Sequence, residues 1–257
     1  MKFNNNVIGP DFDKADIVSF DFGVAEVSLV LPKDPDSDLG YLAPQNQQQL
    51  PTAPDLHWRT HPFGFRIIDL VKKSWSYCDE TSGRQVVREN FDLNLIDVPE
   101  AMQKETSILS KQKFIDWLFT FFKRIAVRGD SSLLGSDIEV VKMKAYKMPL
   151  SKDEIELYPA GRLNWPMLTI DPPYDDSDEA NADRDPDYFI YIPLSESLFL
   201  YIDHSISIFS SDTNPDALPS LEISQLKRDI LMETLAHIKV TYSPDILKLI
   251  EEQNSET

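Results

Sequence analysis

The amino-acid sequence predicts an α+β protein with a largely antiparallel sheet packed with two main helices. Several segments alternate apolar and polar residues, as half-buried strands do, and two others carry apolar residues at helical spacing. No glycine-rich turn joins a strand to a helix, and strands do not alternate regularly with helices, which argues against a doubly wound parallel sheet. The 257 residues are 42% hydrophobic, enough for a sizeable core, so we expect a single domain over 1–257.

The predicted strands are short runs of alternating or β-branched residues. In one of them Phe91, Leu93 and Leu95 alternate with Asp92 and Asn94, which predicts one apolar face. Gly23 is placed to join the first two strands. The segments are Ile17 to Phe22, Val24 to Leu31, Phe65 to Val71, Val86 to Val98, Asp137 to Met148, Tyr188 to Ile192 and Leu198 to Phe209.

Two main helices and one short helix are predicted from apolar spacing and end signals. The first runs from about Ser110 to Val127 and carries a wide apolar face, with Gly129 placed to end it. The second runs from Ser220 to about Lys239. Ser243 and Pro244 are a favourable N-cap and first-turn pair for a last helix through Glu252. Long polar loops are expected at 32–55 and 171–187.

Charge is strongly asymmetric along the chain. The formal net charge is −18, and residues 151–222 hold 16 acidic and 3 basic residues. Such a negative field repels nucleic acid and anionic membranes, and it speeds encounter with a positively charged partner. The alternative is that the acidic surface serves solubility alone.

The densest acidic feature is the segment 171–187, called here the acidic segment. It holds eight acids and one base between two predicted strands. Closely packed carboxylates repel each other, so the segment should stay extended and solvated unless a cation neutralises it. It is either a solvated loop or a docking surface for lysine and arginine. As the docking residues we predict Asp175, Asp176, Asp178, Glu179, Asp183, Asp185 and Asp187.

Signals for catalysis, metals and cofactors are weak. Asp176 and Asp178 lack the glycine of a calcium loop, and the same defect affects Asp34 to Asp38. His57 and His61 have the spacing of zinc ligands on a helix, but Pro62 disfavours helix there and the general-base glutamate is missing. No nucleotide-binding or nucleophile motif is present. We therefore expect a protein that is not an enzyme and that has no metal and no cofactor.

The compartment is inferred from the first ten residues and from the cysteine count. The start, MKFNNNVIGP, has no apolar run of a signal peptide, and Asp116 interrupts the most apolar stretch. Cys78 is the single cysteine, so no intramolecular disulfide forms. These features favour a cytoplasmic protein without a membrane span.

Three stretches form a pattern that resembles a known class of proteins: Arg162 to Ile170 (RLNWPMLTI), Tyr188 to Ser195 (YFIYIPLS) and Leu198 to Ile202 (LFLYI). They resemble cytoplasmic immunity proteins of bacterial toxin systems, including those encoded beside type VI secretion effectors. The resemblance covers about 40 residues. It implies a non-enzymatic protein that binds and blocks one cognate toxin, and it carries over no functional residues.

Three hypotheses follow. The first is an immunity protein whose acidic surface binds a cognate toxin with a basic surface, for which a nuclease is one candidate. The second is a metal-dependent hydrolase that uses carboxylates with His57 or His61. The third is a phage or secretion-system assembly protein, which should self-associate.

Overall fold

Eleven strands and three helices make up the part of the chain that the computed structural model describes, which is residues 7–32, 58–60, 65–98, 108–118, 156–160, 163–170, 187–208 and 220–255. For 156–160, 163–170, 187 and 220–224 only the backbone is described. The fold is α+β, and every strand pair in it is antiparallel, as the sequence predicts. Within these residues, no helix combines the length and the apolarity that crossing a membrane requires.

The larger of two sheets contains eight strands in the order β1-β5-β6-β10-β9-β8-β7, with β4 paired to β5 at the side. Its members are β1 Val7–Ile8, β4 Arg59–Thr60, β5 Arg66–Asp79, β6 Gln85–Asp97, β7 Glu156–Ala160, β8 Leu163–Ile170, β9 Asp187–Pro193 and β10 Leu198–Ile208. The predicted strands at 86–98, 188–192 and 198–209 are confirmed, and each of their ends lies within one residue of the prediction.

A long hairpin of β5 and β6 forms the middle of this sheet. The two strands pair from Arg66–Asp97 to Cys78–Gln85. The side chain of Asp79 accepts hydrogen bonds from the backbone N–H groups of Thr81 (3.1 Å) and Ser82 (2.7 Å), which holds the turn. The prediction that the first of these strands ends at Val71 is wrong, since β5 continues for eight more residues to Asp79.

The smaller sheet has three strands in the order β11-β3-β2. They are β2 Asp16–Asp21, β3 Ala25–Leu31 and β11 Ile238–Tyr242. Between β2 and β3, Gly23 has φ +75°, in the left-handed region that favours glycine, and its N–H donates to the Asp21 side chain at 2.8 Å. The two predicted strands and their junction are confirmed.

Three helices complete the described fold: α1 at residues 111–118, α2 at Ser220–Ala236 and α3 at Pro244–Asn254. The predicted extension of α2 to Lys239 is wrong, because the chain turns into β11 at Ile238. The Ser243 hydroxyl accepts from the N–H of Ile246 at 3.5 Å, which confirms the predicted N-cap. The predicted end of α1 at Val127 lies outside the described residues.

The large sheet separates two apolar clusters. The first joins one face of that sheet to α2, α3 and the smaller sheet, and it includes Phe91, Leu93 and Leu95 of β6. These three side chains are fully buried, which confirms the predicted apolar face. The second cluster packs α1 against the opposite face, where Phe114 contacts the rings of Tyr191 and Phe199.

Several predictions fall outside the described residues. They are the polar loop at 32–55 from residue 33 onward, the strand at Asp137 to Met148, and the two histidines His57 and His61.

Candidate functional site

The acidic segment is anchored at both ends in the large sheet. β8 ends at Ile170 and β9 begins at Asp187, and these two residues are cross-strand partners. The chain therefore leaves and re-enters the sheet at adjacent positions. Asp187 belongs to β9, with only its backbone described. The other predicted docking residues lie outside the described part of the chain: Asp175, Asp176, Asp178, Glu179, Asp183 and Asp185.

Two further carboxylates lie on β10, which pairs with β9, and on β6, which pairs with β10. Asp203 of β10 is paired with Phe189, two residues beyond Asp187. On its other side Asp203 is paired with Asp92 of β6. Like charges directly opposite each other on neighbouring strands repel, so this pair needs a nearby cation.

Lys72 of β5 supplies that cation. It is paired with Asp92 in the sheet, and its Nζ donates to Asp92 Oδ2 at 2.8 Å. This hydrogen bond and the charge of Asp92 raise the pKa of Lys72, with smaller contributions from Asp69 and Asp203. We call Lys72, Asp92 and Asp203 the acidic row. It runs across β5, β6 and β10, and β10 is the strand that pairs with β9 at the end of the acidic segment.

A second polar constellation is buried beneath α2. It comprises Glu89, His204, Thr234 and Tyr77, and we call it the Glu89 cluster. Glu89 Oε1 lies 2.7 Å from His204 Nε2 and accepts a hydrogen bond from the Thr234 hydroxyl at 2.6 Å. Glu89 Oε2 accepts a hydrogen bond from the Tyr77 hydroxyl. A carboxylate accepts through both oxygens and donates through neither, so three donors suit it.

Strand register brings the members of the Glu89 cluster together. Glu89 lies on the face of β6 that also carries Phe91 and Leu93, because side chains alternate along a strand. His204 is paired with Phe91, and Tyr77 is paired with Val87, so both are diagonal neighbours of Glu89 on adjacent strands. Thr234 approaches from α2.

Burial sets the electrostatics of the Glu89 cluster. Burial, reinforced by the adjacent Glu89 carboxylate, raises the pKa of Tyr77 well above its usual value, which keeps the hydroxyl protonated as a donor. Because the Glu89 carboxylate only accepts, the Nε2 of His204 is assigned as the donor in their contact. Its Nδ1 is buried and has no hydrogen-bond partner in the described part of the chain.

The Glu89 cluster is built for structure rather than for contact with a substrate. A histidine beside a carboxylate is a common acid–base pair in enzymes. Here Glu89 and His204 are both 0% exposed, so no substrate reaches them in this conformation. The described residues also contain no group of three histidine, cysteine or carboxylate side chains that could hold a metal. The cluster instead connects β5, β6 and β10 to α2.

Both described histidines have carboxylate partners that sequence reasoning missed. Glu89 contacts His204, and Glu233 Oε1 lies 3.2 Å from His237 Nε2. The second pair is four residues apart, with Glu233 in the last turn of α2 and His237 directly after its end, so its spacing was a usable signal. The first pair is 115 residues apart and depends on strand register.

Comparison with known proteins identifies no relative: no protein-family model, no curated protein and no solved structure matches this chain.

Proposed function

We propose that this chain is a non-enzymatic immunity protein that binds and neutralises a cognate bacterial toxin through an acidic surface formed by the acidic segment. The observation that carries the proposal is the concentration of 16 acidic and 3 basic residues in 151–222, together with the cross-strand pair of Ile170 and Asp187 that closes the acidic segment. The two ends of the acidic segment therefore meet at one cross-strand pair of the large sheet.

The acidic row supports this assignment. Asp203 lies within the acidic stretch 151–222 and is the cross-strand partner of Asp92 on the adjacent strand β6. Asp203 and Asp92 add negative charge to β10, the strand that pairs with β9, and to β6, the next strand in the sheet. A field of one sign over a continuous surface attracts a partner of the opposite sign from a distance.

The partner that fits this field is a protein with a basic surface. A nuclease is a suitable example, because an enzyme that holds a phosphate backbone needs a positively charged cleft. Docking of the acidic surface over such a cleft would block access of the nucleic acid. Complementary charge makes association fast and dependent on salt.

The first test is cellular. The toxin domain encoded beside the gene for this chain is expressed in bacteria with and without the chain. We expect growth arrest by the toxin alone and normal growth when both are present, with a one-to-one complex after copurification. Self-association of the chain without a toxin complex would favour the assembly-protein hypothesis, and a stoichiometric bound divalent metal would favour the hydrolase.

The second test concerns the mechanism. We expect neutralisation of the seven docking residues to lower the association rate about tenfold to a hundredfold at low salt, and to have little effect at about 1 M salt, where the Debye length is about 3 Å. The variant carries D175N, D176N, D178N, E179Q, D183N, D185N and D187N. Stopped-flow measurement with the purified toxin gives the rates.

A matched control removes seven negative charges elsewhere. It neutralises exposed carboxylates outside the acidic segment, at Asp13, Glu80, Glu196, Asp229, Asp245, Glu251 and Glu252. We expect this control to slow association much less. Equal rates for the two variants would mean that overall charge, and not the acidic segment, attracts the partner. An unchanged rate in the first variant would remove the electrostatic mechanism.

A further inference from the structure

The outer edge of the smaller sheet is formed by β2. In the order β11-β3-β2, the strand β2 (Asp16–Asp21) has β3 on one side, and no described strand pairs with its other side. Edge strands present backbone donors and acceptors that can pair with another chain, so most proteins protect them. The direction of the backbone groups in β2 therefore decides what this edge can bind.

The hydrogen bonds around β2 define that direction. The N–H of Phe22 donates to the carbonyl of Ala25 at 2.9 Å, in the same register that pairs β2 with β3. Hydrogen-bonded and non-bonded pairs alternate along an antiparallel ladder. It follows that Phe20 and Val18 direct their backbone groups toward β3. By the same alternation, the outward-directed residues are Ile17, Ser19 and Asp21.

The neighbouring strand gives an independent check. Val30 of β3 is paired with Ile17, and its N–H donates to the carbonyl of His237, away from β2, at 3.1 Å. The pair of Ile17 and Val30 is therefore a non-bonded pair, as the alternation requires. We call the outward backbone groups of Ile17, Ser19 and Asp21 the β2 edge.

An apolar side chain stands beside the β2 edge. Ile17 is 73% exposed, the most exposed large hydrophobic residue in the described part of the chain. A strand added to this edge would bring its own side chains next to Ile17 on the outer face, where cross-strand contacts stabilise a sheet. Backbone hydrogen bonds and one apolar contact are the elements that strand addition uses.

Charge identifies the partner that fits the β2 edge. The residues around it are strongly acidic, and the nearby Lys14 is bound to Asp11 at 2.9 Å. A second copy of this chain would bring the same carboxylates and a net charge of −18, so like charges oppose self-pairing. A basic segment is complementary to the acidic residues that flank the edge, which include Asp13, Asp21 and Glu26.

We infer that the β2 edge is a docking site for an extended, lysine- or arginine-rich strand of a partner protein, which adds to the smaller sheet as a fourth strand. The site is separate in sequence from the acidic segment. The inference goes beyond the immunity role and does not depend on it.

The test uses a synthetic peptide and one pair of variants. The probe is a fluorescein-labelled peptide of alternating lysine and valine, equal in length to the six residues of β2. S19P removes the outward N–H of Ser19 and no donor of the β2–β3 ladder, so the small sheet should still form. S19A is the matched control, because both variants lose the contact between the hydroxyls of Ser19 and Ser28 at 3.1 Å.

We expect the peptide to bind wild type and S19A with similar affinity, and S19P at least about fivefold more weakly, which corresponds to one lost hydrogen bond of about 1 kcal/mol. In NMR spectra, peptide binding should slow the hydrogen exchange of the Ile17 and Ser19 amides. Circular dichroism of S19P confirms that the fold persists. A further probe, N-methylated at the residues whose N–H groups face β2, should bind wild type more weakly than the first probe does.

Three results would overturn the inference. Equal affinity of the peptide for S19P and S19A would show that the β2 edge is not used. Equal binding of a peptide of alternating glutamate and valine would remove the charge argument. A wild-type dimer on a sizing column that S19P abolishes would make a second copy the occupant. None of these results bears on toxin neutralisation, which is tested separately.

Discussion

Replacement of Thr234 by valine removes one hydrogen bond from the Glu89 cluster and changes the shape of the side chain very little. The Thr234 hydroxyl donates to Glu89 Oε1 at 2.6 Å, and this bond connects α2 to β6. Thr234 is 4% exposed and Glu89 is 0% exposed, so water does not replace the lost donor. The folded state of T234V therefore has one hydrogen bond fewer at a buried carboxylate.

The expected cost follows from the type of bond. Hydrogen bonds to charged groups contribute about 1.5 to 3 kcal/mol to the free energy of unfolding, so we expect T234V to be less stable by about 2 kcal/mol. For a chain of this size, such a loss lowers the melting temperature by roughly 4 °C. T234S keeps the hydroxyl and removes one buried methyl group, which costs about 1 kcal/mol.

The assay is urea unfolding followed by tryptophan fluorescence. The midpoint and the slope give the free energy of unfolding, and an unchanged slope shows that both variants unfold from the same folded state. T234V should be less stable than T234S. If T234S is the less stable variant and T234V matches wild type, packing of α2 depends on the methyl group and the reasoning is wrong.

A double-mutant cycle with E89Q measures the part of this bond that depends on the charge of Glu89, because the amide oxygen of glutamine still accepts a hydrogen bond. E89Q keeps the shape of Glu89 and removes its charge. Because the two residues are in direct contact, the losses in T234V and E89Q should not add, and the coupling should be about 1 kcal/mol or more. Additive losses would mean that the two side chains act independently.

Two further predictions concern the backbone and the pH dependence. G23A should lower the free energy of unfolding by about 1 kcal/mol, measured by urea unfolding, because Gly23 has φ +75°, a conformation that is unfavourable for alanine. No atom lies within 4 Å of the added Cβ, so no steric clash adds to this cost. The pKa of Tyr77 is raised in the folded state. The contribution of its protonated hydroxyl to the free energy of unfolding is therefore complete below the usual pKa of 10.0 and is lost as pH rises above it. The free energy of unfolding should therefore fall as pH rises above 10, and Y77F should weaken this pH dependence; an unchanged pH dependence in Y77F would contradict the prediction.

The confirmed predictions rest mainly on local sequence patterns. Alternation in β6 predicted the buried face with Phe91 and Leu93, because the period of two along a strand does not depend on what the strand pairs with. Gly23 marked the turn between β2 and β3 for an equally local reason. The N-cap at Ser243 needed only the neighbouring backbone of α3.

The errors occur where pairing overrides local preference. β5 continues through Lys72, Lys73 and Ser74, which carry no apolar alternation, because the hairpin partner β6 supplies hydrogen bonds along that length. The helix prediction was extended to about Lys239 on the helical spacing of Ile238, but Ile238 begins β11, which pairs with β3. Lys73 and Ser74 are also buried, which their residue types do not predict.

The sequence by itself determined the fold class, the main strands, the helix starts and the concentration of negative charge, since each depends on composition or on neighbours along the chain. Tertiary structure decided which distant residues meet. Glu89 and His204 form a pair only because β6 and β10 align in one register, and the register of β2 with β3 decides which backbone groups of β2 point away from β3. Register is a property of two strands together, so a pattern read along one strand does not contain it.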